Sequence, residues 1–252
     1  MRGQALAFYT DYIIIIAEKE MEYKVSKKRA ALWVVATIVG PLLFYLLISG
    51  WYIGIWYARA KHQGPPTPEI IIKSMFIGYP PAIWAAVALW WWTYRKKAEF
   101  RDLFLTRSSA IGSDIAIGIG LGALWVAVYG LTDVVSWQEM FTFDLAKLAS
   151  VPTSLSAGFC EEFLCRGFLF WLLAAAGAGK GSRLVVASIA FGLGHCFWGP
   201  WGMLWTTVLG FTLGLAVLWR GNVWPAVAAH TLLNLCIEPG LIEKALTNGF
   251  ST

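Results

Sequence analysis

Residues 32–57 read LWVVATIVGPLLFYLLISGWYIGIWY, twenty-six positions without one charged side chain. A helix rises about 1.5 Å per residue and a bilayer's hydrocarbon core is about 30 Å thick, so about 20 apolar residues cross it. The run follows Lys24, Lys27, Lys28 and Arg29, the kind of basic flank that stays on the cytoplasmic side of a membrane. Working outward, the same pattern recurs at 74–92, which ends at Arg95-Lys96-Lys97, and at 111–131, where Gly118, Gly120 and Gly122 allow close helix approach. It recurs again at 151–176, at a short stretch 184–198 closing on Gly199-Pro200, at 203–219 and at 223–237. Backbone N–H and C=O groups in lipid must bond within their own segment, so these stretches are expected to be helices. The fold class is therefore all-α: a polytopic membrane helix bundle with about seven transmembrane helices (six to eight).

The composition agrees. Of 252 residues, 58% are hydrophobic and 14% charged, against about 25% charged in soluble domains, and the mean hydropathy is +0.61. Disorder, collagen-like repeats and a disulfide-stapled secreted domain are excluded. Fifteen Trp suit the headgroup interface. The net charge of +5 does not point to nucleic acid, because the basic residues sit in short connections between apolar spans. With a cytoplasmic N-terminus, 14 Lys and Arg fall inside and 5 outside, Arg166 lying within a span; this asymmetry sets the orientation. Residues 8–16 (FYTDYIIII) are too short to span and read as an interfacial helix. The chain thus divides into an N-terminal cytoplasmic or interfacial segment (1–30), N-terminal transmembrane helices (31–149), a set of polar-bearing helices (150–238) and a tail (239–252).

Ionisable groups inside spans are costly and mark function. Gly158-Phe-Cys-Glu-Glu-Phe-Leu-Cys-Arg-Gly167 places three on one helix. Glu162 and Arg166 are four residues apart, about 40° around a helix, and can pair. Glu161 and Arg166 are about 140° apart, so Glu161 presents its carboxylate to another helix. Its candidate partners are His195, in Phe191-Gly-Leu-Gly-His195, and His230 with Asn234 one turn on. Such a set can do acid–base chemistry on water: a carboxylate as base, an imidazole sharing the attacked water, and His and Asn donating to an oxyanion. Cys160, Cys165, Cys196 and Cys236 have no metal-finger spacing and read as small buried residues. Cys196 and His195, about 100° apart on one helix, would not meet as a nucleophile–base pair.

Glu161-Glu162-xxx-Arg166, Phe191-xxx-His195 and His230-xxx-Asn234, together with Leu218-Trp-Arg-Gly-Asn-Val-Trp-Pro-Ala-Val-Ala-Ala-His230, resemble the three-motif signature of the CPBP (CAAX-processing and bacteriocin-processing, ABI) family of intramembrane glutamic endopeptidases. The resemblance covers about residues 150–238. It implies that Glu161 is the base, that His195 helps bind and polarise water, and that His230 and Asn234 are oxyanion donors. Glu162, Arg166 and Phe191 are read as supporting residues. It further implies a substrate that is a membrane-associated protein or peptide, of which a prenylated CAAX terminus is one kind, and no cofactor. Two readings compete. A zinc peptidase using His195, His230 and Glu161 is compatible with the residue types, though the sequence lacks HExxH. A non-enzymatic scaffold or a transporter would also hold intramembrane polar groups, but no internal repeat supports transport.

Overall fold

The computed structural model describes residues 24–60, 68–97, 111–132, 135–143 and 145–248, and these are helical with no strand. The elements in chain order are α1 (Lys27–Ala60), α2 (Pro68–Tyr94), α3 (Ile111–Leu131), a short α4 (Trp137–Phe141), α5 (Leu145–Glu162), a π-helical segment (Phe163–Phe168), α6 (Leu169–Ala175), α7 (Lys180–Gly194), a single 3₁₀ turn (Cys196–Trp198), α8 (Gly199–Arg220) and α9 (Trp224–Asn248). Lys27–Ile55, Ile111–Leu131 and Gly199–Arg220 are each long and apolar enough to cross a membrane, and Trp224–Ile237 is a shorter apolar stretch. The protein is a helical membrane bundle. The interfacial helix expected at 8–16 and the loop around Gly64 lie outside the described residues.

Leu47 and Trp51 on α1 are each 70% exposed, as side chains facing lipid are. The π segment and α6 lie in the interior, with Phe163, Leu164, Phe168, Leu169 and Leu172 all buried. α9 packs against α3 and α5, α8 against α7, and α2 against both α1 and α5. Two of the three glycines singled out on α3 serve close approach: a Cβ at Gly118 would strike the Pro225 carbonyl, and one at Gly122 would stand 2.8 Å from the Ala229 oxygen. Gly120 faces open space instead. An aromatic stack locks α2 to the π segment, with Trp90 lying 4.4 Å from Phe168 at an interplanar angle of 12°.

The structure departs from the sequence reading in three places. The stretch expected as one α-helix at 151–176 begins earlier, at Leu145, and passes through a π segment immediately after Glu162. Helix α7 stops at Gly194, so His195 and Cys196 belong to its cap and a 3₁₀ turn rather than to a continuing helix. Gly199, at φ 73°, permits the turn into α8, a conformation that residues with a Cβ adopt only under strain. Finally, α9 runs through Pro239-Gly240 to Asn248, into the expected tail.

Buried charge is also more abundant than the spans suggested. Asp114 is fully buried and accepts from Arg220 Nε at 2.5 Å and Asn222 Nδ2 at 2.8 Å, tying the start of α3 to the end of α8. Lys147, counted above among loop charges, lies buried in α5 and donates to the Glu139 and Met140 carbonyls that end α4.

Candidate active site

Helix α5 delivers two adjacent carboxylates to different surroundings. Glu162 is fully buried. Its Oε1 accepts from Arg166 Nη1 at 2.9 Å and stands 2.8 Å from His230 Nδ1. Arg166 is buried too, with its guanidinium carbon 4.2 Å from the centre of the Phe191 ring. A glycine at position 210 makes room for it: a Cβ there would lie 2.8 Å from Nη2. The i, i+4 pairing expected from the sequence is present, and the structure adds His230 to it. Glu162 therefore carries a positive neighbour on its own helix and an imidazole from α9, the compensation that a buried carboxylate needs.

Glu161 points elsewhere. Its Oε1 accepts a hydrogen bond from the Tyr79 hydroxyl on α2. Its Oε2 lies 3.7 Å from His195 Nε2 and 4.0 Å from His230 Nε2. That oxygen is buried and has no hydrogen-bond partner among the described residues. Separations of this size exceed a direct hydrogen bond and suit one bridging water.

Small residues create this convergence. Gly158, one turn before Glu161, faces the Thr231 hydroxyl so closely that any side chain there would collide with it. The contact sets α5 against α9 beside His230. On α7, Gly192 presses against Thr207 and the Met203 carbonyl, from which a Cβ would be 2.7 Å away. Helix α8 thereby supports the end of α7, where His195 sits. Gly194 meets nothing within 4 Å, so of the two glycines before His195 it is Gly192 that supplies the close approach.

Hydrogen bonding fixes which ring nitrogen carries a proton. His195 Nδ1 lies 2.8 Å from the Phe191 carbonyl oxygen. A carbonyl only accepts, so Nδ1 bears the hydrogen, and a neutral His195 offers its Nε2 lone pair toward Glu161. His230 Nδ1 likewise donates to the Glu162 carboxylate; its Nε2 presents a lone pair when the ring is neutral and an N–H when the ring is doubly protonated. Phe191 packs against both rings, 4.7 Å from His195 and 5.6 Å from His230 between centres. One residue thus holds one imidazole by its carbonyl and wedges both by its ring.

The structure brings Glu161, Glu162, Arg166, Phe191, His195 and His230 together from three separate helices and a cap. Asn234 lies one turn beyond His230 on α9, and no hydrogen bond among the described residues ties its amide to Glu161. The cysteines are free: Cys160 is buried, Cys165 and Cys236 are partly buried, and Cys196 is exposed rather than buried as expected, because it lies on the 3₁₀ turn. Among the described residues no group of three His, Cys, Asp or Glu is placed to hold a metal ion. Tyr79 is the site residue that the sequence did not disclose. It lies in Gly78-Tyr79-Pro80-Pro81, well outside the motif-bearing segment, and the only local sign was a proline pair within an apolar span.

Comparison with known proteins bears on this arrangement. Residues 143–236 match the family model described as Rce1-like, type II CAAX prenyl endopeptidase Rce1-like. This agrees with the CPBP resemblance carried by the three motifs and spans every motif residue, while Tyr79 and helices α1 to α3 lie outside it. No curated protein and no solved structure matches the chain.

Proposed function

We propose that this protein, whose residues 143–236 match the Rce1-like family model, is an intramembrane glutamic endopeptidase. It hydrolyses a peptide bond near the C-terminus of a prenylated CAAX-type or other membrane-associated protein or peptide, using Glu161 to activate water. The observation that supports this most directly is the approach of two imidazole Nε2 atoms, 3.7 and 4.0 Å away, to one unpartnered carboxylate oxygen. A water held there donates one hydrogen to Glu161 Oε2 and the other to the His195 Nε2 lone pair. As Glu161 takes its proton, the water oxygen bonds to the scissile carbonyl carbon and the carbonyl π pair moves onto oxygen. His230, when protonated at Nε2, and Asn234 donate to that oxyanion. The C–N bond then breaks, and the proton held by Glu161 passes to the leaving amine. No covalent enzyme intermediate forms.

The division of labour between the acids follows from their partners. Glu162 is occupied by Arg166 and His230, whereas Glu161 has a free edge. The decisive experiment is single-turnover cleavage of a farnesylated CAAX peptide by purified protein in nanodiscs. Glu161→Gln should lose roughly 10²–10⁴-fold, the worth of a general base, while remaining folded. Retention of more than about a tenth of parent activity lies outside that range and moves the base to Glu162 or removes the peptidase reading. The N-terminus is proposed to be cytoplasmic; reporter fusions near Gly64 and near Lys180 should report opposite faces, and the same face for both would overturn the topology.

A further inference from the structure

We propose that Tyr79, on α2 and outside the Rce1-like segment, is a positioning residue that aims the Glu161 carboxylate. The inference rests on Glu161 being the base. A phenol has one hydrogen to donate, and Tyr79 gives it to Glu161 Oε1. The other carboxylate oxygen, Oε2, is thereby the one that faces His195 and His230. The terminal torsion of Glu is broad and nearly two-fold, so without this bond nothing on α5 itself selects that rotation; Arg166 on the same helix is already bound to Glu162. Tyr79 is in turn held by Tyr45 of α1, whose ring meets it edge-on at 6.4 Å and 75°, and α2 packs along α5. The N-terminal helices therefore do more than anchor the motif-bearing segment: α2, steadied by α1, places one atom in the site.

Tyr79→Phe keeps the ring and its contact with Tyr45 while deleting the hydroxyl. In the farnesylated-peptide assay, kcat should fall roughly 10- to 100-fold, the worth of one hydrogen bond to a charged group. KM and the thermal midpoint in detergent should stay at parent values, because neither substrate contacts nor packing change. A merely structural tyrosine would move the midpoint and leave the carboxylate untouched. A second readout does not depend on turnover: the infrared difference between parent and Glu161→Gln isolates the Glu161 carboxylate stretch, and Tyr79→Phe should shift that band. An unshifted band, a kcat within about threefold of parent, or loss of folded protein each overturns the positioning role. Full activity of Glu161→Gln would instead overturn the proposed base, so the two failures are distinguishable.

Discussion

Substituting Glu162 by Gln keeps its shape and removes one charge from a buried cluster of three. In the parent, Glu162 Oε1 holds Arg166 Nη1 at 2.9 Å and His230 Nδ1 at 2.8 Å. Arg166 is 0% exposed, and its Nε and Nη2 already have no acceptor among the described residues. The substitution therefore leaves a buried guanidinium supported only by a neutral amide and the face of Phe191. Breaking a buried pair in this way typically costs about 3–5 kcal/mol, roughly a 10²- to 4 × 10³-fold shift in the folded-to-unfolded ratio. Arg166→Met should cost less, because Glu162 keeps His230 as a partner. Combining the two removes both charges and conserves much of the volume, and such replacements of a buried pair are often close to neutral. The double variant should therefore be more stable than Glu162→Gln alone. Thermal midpoints in detergent, read by the monodisperse fraction surviving each temperature, give all corners of this cycle. If Glu162→Gln is as stable as the parent, or if the double variant shows the sum of both losses, the clamp does not hold the site together.

Two further expectations concern the chemistry. Asn234→Ala should reduce single-turnover cleavage by roughly 10²-fold, the loss of one oxyanion donor, with stability unchanged because Asn234 has no hydrogen bond to the Glu161 cluster; wild-type rates would remove it from the mechanism. Prolonged dialysis against a strong chelator should leave cleavage intact if Glu161 activates water directly, whereas loss restored by zinc alone would favour the zinc peptidase built on His195, His230 and Glu161.

What the sequence determined by itself was whatever depends on local composition and short spacing. An uncharged stretch of 26 residues has no stable home in water, so the helical membrane class follows from solvation alone. The Glu162–Arg166 pair was legible because four residues is one helical turn, and it persists although a π segment begins between them. The grouping of Glu161, His195 and His230 was legible only as a set of costly groups needing partners. Tertiary structure decided which atom meets which. The Oε2 of Glu161 faces both imidazoles because Gly158 lets α5 approach α9 and Gly192 lets α7 approach α8, and contacts between helices have no spacing rule along the chain. For the same reason Tyr79, 82 positions from Glu161, left no trace in any motif. Asp114 likewise meets Arg220 and Asn222 across 106 and 108 positions of chain, a separation that no local pattern records. Periodicity within a helix is local physics and can be read from one segment; the pairing of polar groups across a bundle is set by how helix faces pack, and only the folded chain specifies that.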